Sequence, residues 1–250
     1  MQPSEEGQTG TGPDADGGGL AVAREGFGLD ASLASPLPGD VDRNFLVYTS
    51  DRRAPAAVLK VFTSRPSRAA LEQQRDLFDA LASRAPSIAT LLPVLLRPGE
   101  HEDPIRSVEF EGSTVDAALY RYLPGRPLAE VHPHPPALLK ELGRTLGVLD
   151  LALAELSQAF VPPAKASPSW QLMDGPDTIE QRLGFVATGA RQDLLNRHLG
   201  SSWRTLAGRV AELPHQLIHH DANDYNVLVQ VPAGSIHLSG LIYFGDAAVA

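Results

Sequence analysis

Between Gln216 and Ala247 the chain reads QLIHHDANDYNVLVQVPAGSIHLSGLIYFGDA, a stretch whose short apolar runs and polar loops leave few ways to fold. Leu217-Ile218 and Val227-Leu228-Val229 are too short for buried helices and read as strands. The polar segment from His219 to Asn226 is then the loop between them. Pro232-Ala233-Gly234 predicts a turn, Ile236 to Phe244 a further strand, and Gly245 a sharp change of direction. The end of that strand is thereby expected beside the polar loop.

The spacing inside the loop has a chemical meaning. A carboxylate that accepts the proton of an attacking hydroxyl and an amide oxygen that holds magnesium fit on one loop in the order H-x-D-x-x-x-x-N. His219 is then the brace behind the loop, Asp221 the base and Asn226 the metal ligand. The same chemistry uses a second metal-binding carboxylate at the end of the next strand, followed by an aromatic residue and Gly. Tyr243 holds that position. A phenol, with an ordinary pKa of about 10, is neutral at working pH and a poor magnesium ligand. Asp246, just beyond it, is the candidate substitute ligand.

Upstream, Lys60 lies within Val58-Leu59-Lys60-Val61-Phe62, in a strand (56–62) partnered by Phe45 to Tyr48 across a turn at Asp51-Arg52-Arg53. Such a lysine sits on an exposed strand face or contacts nucleotide phosphates, oriented by a glutamate on a nearby helix. The helix expected over Ala69 to Ala82 supplies Glu72, with Leu71, Leu77, Phe78 and Leu81 on its buried side. The turn from Gly39 to Asn44 can lay backbone N–H groups over phosphate. Leu91 to Leu96 and Ser107 to Leu119 read as further strands. Tyr120-Arg121-Tyr122-Leu123-Pro124-Gly125 then breaks the sheet and predicts a hinge between two lobes.

The remaining segments complete an α+β chain. Residues 1–20 are expected to be a disordered tail, with Gly17-Gly18-Gly19 as linker; a helix is expected over Ala21 to Leu33, and a turn at Ser35 to Gly39. Residues 21–124 form the expected β-rich lobe and 125–250 the helical lobe carrying the loop described above. Pro136 to Leu156 is the clearest helix, with Leu138, Leu139, Leu142, Leu146, Leu149, Leu153 and Leu156 as core stripe and Gly143 and Gly147 open to another backbone. Pro162 to Pro168 reads as a connector, Trp170-Gln171-Leu172 as packing onto the helical lobe. Thr178 to Phe185, Gln192 to Leu199 and Ser202 to Leu213 read as helices. The histidines of the loops, His132 and His134 included, are read as loop residues without a zinc role. With 30 acidic against 21 basic residues, nucleic acid and anionic membranes are disfavoured partners. The absence of cysteine, of a signal segment and of a long apolar run fits a cytoplasmic protein.

The loop pattern H-x-D-x-x-x-x-N-x-L, followed by a strand ending in YFGD, resembles the aminoglycoside phosphotransferase and choline kinase superfamily. LIHHDANDYNVLV is similar to the hydroxylysine kinase group and to the phosphotransferase domain fused ahead of some class III aminotransferases. The likeness extends through LPGDVDRNFLV (37–47), VLKVF (58–62), YRYLPGRPLAEV (120–131) and LLKELGRTLGVLDLAL (138–153). It implies an α+β, protein-kinase-like bilobed fold, with an N-terminal mixed or antiparallel β lobe and a mostly helical C-terminal lobe that is truncated here. It further implies transfer of the terminal phosphate of ATP or GTP, with Mg2+, to a hydroxyl of a small amino-bearing molecule such as hydroxylysine. In that family the segment matching Gly39 to Asn44 covers the nucleotide, which brings in Asn44, and the adenine stacks near the hinge, which brings in Tyr122. Family members usually carry Asp at the position of Tyr243 and continue through more helices. The alternative expectation is therefore an inactive pseudokinase or fragment that binds nucleotide or a partner only, associating through exposed surface of the helical lobe.

Overall fold

Alternation of apolar and polar residues in the first half builds one antiparallel sheet from β1 (Ala31–Leu37), β2 (Arg43–Thr49), β3 (Ala57–Val61), β4 (Ile105–Phe110) and β5 (Ser113–Tyr120), in the order β1-β2-β3-β5-β4. The computed structural model describes residues 15–39, 41–51, 53–99, 102–160, 175–210 and 212–250. Phe45, Val47, Leu59 and Val61 point to one face of the sheet, where they bury against Val22, Ala23, Phe27, Phe110 and Leu119. Phe62, Ile105 and Ala118 instead meet Leu71 of helix α2 (Arg68–Arg84). Asn44 and Lys60 pair in register between β2 and β3, on the face opposite Phe45 and Leu59.

Several expectations for this half are corrected. The tail ends earlier than residue 20, because helix α1 (Ala15–Ala21) runs through the glycines; residues 1–14 lie outside the described residues. The glycines act through close approach, since a Cβ on Gly19 would come within 2.6 Å of the Phe45 ring and one on Gly18 within 3.0 Å of Phe110. The helix expected over Ala21 to Leu33 stops at a π turn (Val22–Gly26), and Ala31–Leu37 is a strand, not helix and turn. It is an edge strand, where Pro36 is tolerated because its missing N–H costs no ladder bond. Leu91 to Leu96 is irregular apart from a bridge between Leu95 and Tyr120, in a segment interrupted by Pro93, which has no N–H to donate. Ser107 to Leu119 is a hairpin turning at Glu111 and Gly112, both at positive φ (50° and 75°).

The described chain divides into two compact units, Met1–Asp79 with Leu92–Pro124, and Ala80–Leu91 with Gly125–Ala250. The second unit thus takes in residues 80–91 as well as the expected 125–250. It contains β6 (Arg126–Pro127), helix α3 (Pro136–Leu156), α4 (Gly175–Arg182), α5 (Ala190–Arg197), α6 (Arg204–Val210), and strands β7 (Leu217–Ile218), β8 (Val227–Gln230), β9 (His237–Leu241) and β10 (Ala248–Val249). β6, β8 and β9 form one small sheet, and β10 pairs with β7. Helix α3 begins with Pro at its first position, where no N–H is needed, and buries Leu138, Leu149, Leu153 and Leu156. Leu139, expected in the same stripe, is 51% exposed, and a Cβ on Gly143 or Gly147 would meet nothing within 4 Å. The connector at 162–168 and the Trp170 segment lie outside the described residues. Among those residues no helix is long and apolar enough to cross a membrane.

Gly125 opens the second unit at φ +145°, and a Cβ there would overlap the Ser239 hydroxyl and lie 2.9 Å from the Val229 carbonyl oxygen. Gly125→Ala is expected to cost about 2–3 kcal/mol through strain and overpacking. Thermal melts should show this as a drop of roughly 4–12 °C. Adding Ser239→Ala should recover part of the loss, because it removes the hydroxyl but not the carbonyl contact or the backbone strain.

Candidate active site

The polar loop is positioned from the C-terminal end of α3. Ser157 Oγ accepts the Leu217 N–H at 2.8 Å and donates to the Leu153 carbonyl at 3.0 Å, while the Gln216 side chain donates to the Asp150 carbonyl at 2.9 Å. β7 is thereby held against the helix, and His219 follows it into the interior. The far side of the loop is fixed by Ala129 N–H donating to the Asp224 carbonyl (3.0 Å) and by Ile242 N–H donating to the Asn226 carbonyl (2.9 Å).

His219 is buried, with its ring 4.3 Å from that of Phe244. Its Nδ1 accepts the Asp221 N–H at 3.3 Å, so its Nε2, 3.1 Å from the Ile242 carbonyl oxygen, carries the proton and donates. These partners select one neutral tautomer. Burial pushes the His219 pKa below its ordinary value, with the Ile242 carbonyl bond and the Asp221 charge opposing. The loop is thus tied to the strand end that carries Tyr243.

Asp221 is held at both carboxylate oxygens. Asn223 Nδ2 donates to Oδ1 at 2.7 Å, and Asn226 Nδ2 donates to Oδ2 at 2.7 Å and to the Asp221 carbonyl at 2.8 Å. Asn226 spends its amide nitrogen on Asp221, which leaves its oxygen as the atom suited to a cation. Asn223 was absent from the candidate set read from sequence. Its Oδ1 also caps the Tyr225 N–H (2.9 Å) and Asn226 N–H (3.3 Å). The signal for it is an Asn two residues before the N–H it caps, the pattern of an Asx turn.

The strand expected to run to Phe244 stops at Leu241, and Tyr243 lies two residues beyond it at φ +66°, 42% exposed, leading into the 3-10 turn Phe244–Asp246. Asp246 closes that turn, with one carboxylate oxygen buried. Among the described residues no cluster of His, Cys, Asp or Glu side chains forms a ready-made metal cage. The Asn226 amide and the Asp246 carboxylate both carry hard oxygens of the kind magnesium takes, and magnesium usually keeps few protein ligands, with the rest supplied by phosphate oxygens and water.

In the first unit, Lys60 Nζ lies 3.1 Å from Asp42 Oδ2 and 5.4 Å from the centre of the Phe62 ring. Glu72, its expected partner, pairs with Arg68 at 3.2 Å. Arg68 sits one helical turn before Glu72 and engages it at i,i+4. Asp42 reaches Lys60 from the bend just before β2, two residues ahead of Asn44, which pairs with Lys60 in register. Gly39 allows the turn to close over Asn44: a Cβ there would fall 2.5 Å from Asn44 Nδ2 and 2.8 Å from the Asp42 carbonyl oxygen. Tyr122 is half-buried just beyond the end of β5.

A strand-rich unit followed by a unit with this loop defines the kinase-like class of folds. Residues 34–250 match the phosphotransferase enzyme family, and the chain belongs to it. It is 27% identical to hydroxylysine kinase of Mus musculus over 245 residues, 90% of this chain and 63% of that protein. It is 28% identical to hydroxylysine kinase of Danio rerio over 250 residues, with the same coverage. The chain thus spans less than two thirds of the length of these relatives. Among solved structures it is similar in fold to a thermostable mutant of the aminoglycoside phosphotransferase APH(4)-Ia in ternary complex with ADP and hygromycin B, at TM-score 0.59 and 18% identity, covering 92% of this chain and 72% of that one. It is also similar to aminoglycoside 2'-phosphotransferase-IIIa in its GDP complex, at TM-score 0.61 and 16% identity, with the same shares covered.

The His219 arrangement predicts an acid-sensitive fold. The unfolded chain binds a proton at the ordinary His219 pKa of 6.5, whereas the folded chain does so only at lower pH. Between the two values the unfolded state carries more protons, so stability is complete above 6.5 and falls as pH drops below it. Urea unfolding at about pH 7.5 and 5.5 should show the fall, and His219→Gln, which cannot titrate, should be less stable at the higher pH and lose less on acidification.

Proposed function

We propose that the chain transfers the terminal phosphate of ATP or GTP to a hydroxyl of a small amino-bearing molecule of the hydroxylysine type. The observation that carries this reading is the Asp221 carboxylate, fixed at one oxygen by Asn223 and at the other by Asn226. A base so held can accept the acceptor's hydroxyl proton without reorganising. As the acceptor oxygen forms its bond to the terminal phosphorus, the bond to the bridging oxygen breaks, and ADP or GDP leaves. His219 orients the loop, and Lys60 holds the nucleotide phosphates, with Asn44 beneath the turn at Gly39 and Tyr122 beside the base. Asn226 and Asp246 would hold Mg2+, which when bound neutralises charge on the phosphates. The amino-bearing acceptor is inferred from the hydroxylysine kinases to which the chain is similar.

Magnesium-dependent transfer from ATP and from GTP to hydroxylysine and simpler amino alcohols tests the reading; absence of transfer to every acceptor defeats it. Asp221→Asn is expected to lower turnover by about 10²–10⁴ while nucleotide affinity, followed by calorimetry, stays near that of the parent. An equally active variant would remove Asp221 from the chemistry.

Tyr243 favours a second reading, nucleotide binding without turnover. Its φ of +66° is a conformation that Asp adopts more readily than Tyr, so Tyr243→Asp should fit the backbone. If the missing carboxylate limits the parent, this variant should gain at least about 10² in turnover, and Tyr243→Phe should change little. Equal rates in parent and Tyr243→Asp would show that Asp246 suffices.

A further inference from the structure

We propose that Asp42 is a positioning residue that orients Lys60 toward nucleotide phosphates; the inference rests on the phosphotransferase reading. The two oxygens of Asp42 do different work. Oδ2 meets Lys60 Nζ at 3.1 Å, while Oδ1 accepts the Ser64 N–H at 3.1 Å and the Ser64 hydroxyl at 2.7 Å. Thr63 Oγ1 donates to the Val41 carbonyl at 2.9 Å, so the turn before β2 is tied at two adjacent residues to the chain leaving β3. The carboxylate is therefore anchored from behind, independently of the lysine it faces.

Burial makes this pairing consequential. The Asp42 and Lys60 side chains are only 12% and 19% exposed, so the interaction is far less screened than a surface ion pair. The lysine stem is flexible, and its ammonium needs a fixed anion to settle in one place. An ammonium has three N–H donors and can hold a carboxylate and a phosphate oxygen together. Glu72, by contrast, is held by Arg68, whose guanidinium also engages Asp103, Asp116 (3.3 Å) and the Ile105 carbonyl (2.8 Å).

The test compares nucleotides with their phosphate-free nucleosides. Asp42→Asn keeps an oxygen for Ser64 but removes the charge facing Lys60. Calorimetry should show about tenfold weaker ATP or GTP binding, the worth of one charge-assisted hydrogen bond, with adenosine or guanosine affinity unchanged. A purely structural Asp42 would weaken nucleotide and nucleoside alike, and that result overturns the proposal. So does parent-like or tighter ATP binding by Asp42→Asn. If Asp42→Asn does not fold, Ser64→Ala loosens the anchor alone; selective weakening of triphosphate binding supports the proposal and parent-like affinity overturns it. A parent that binds neither ATP nor GTP defeats the phosphotransferase reading, whereas a binding parent with an indifferent Asp42→Asn defeats only this inference.

Discussion

A neutral imidazole in the interior holds the second unit's chemistry together. His219 accepts from the Asp221 backbone with one nitrogen and donates to the Ile242 carbonyl with the other. Because each nitrogen has a fixed role, protonation would set a donor against the Asp221 N–H. The loop that carries Asp221, Asn223 and Asn226 and the strand end that carries Tyr243 are consequently coupled through one side chain whose charge state matters. Burial keeps that side chain neutral, so the low dielectric that raises the cost of charging it also preserves the geometry.

The first unit solves a similar problem with different groups. There the side chain to be placed is a long cation, and the fixed partner is Asp42, tied down by Ser64. Both units thus hold a carboxylate by hydrogen bonds from neighbouring residues, leaving it in a set place. The cost of ordering such groups is met by the fold, in the packing of Phe45, Leu59 and Val61 under one and of α3 under the other.

Much of this was legible in the chain. His219, Asp221 and Asn226 could be read because their chemistry needs fixed residue types at fixed spacing on one short loop, and that loop assembles them. β2, β3, α2 and α3 were legible because their apolar periods are strong. What escaped was set by contacts between segments. Ala31–Leu37 has the Ser and Pro of a turn, yet becomes an edge strand because β2 supplies its hydrogen bonds. Glu72 lies on the helix expected to serve Lys60, while the Arg68 contacts beside it depend on Asp103 and Asp116, far away in sequence. Asp42 meets Lys60 from a bend outside β2 whose closure depends on Ser64, twenty-two residues away, so no strand period marks it.

Tyr243 shows how a site can change its chemistry while keeping its frame. A non-glycine residue at φ +66° costs free energy, and a ring left 42% exposed regains little of it by burial. The backbone must therefore be held there by its neighbours. Ile242 is fixed on both sides, by its N–H to Asn226 and its carbonyl to His219, and Phe244 packs on His219 and closes a turn with Ala247 at 3.3 Å. None of these contacts uses the side chain at position 243. The backbone frame around position 243 is thus held by contacts of Ile242 and Phe244, with a phenol projecting from it.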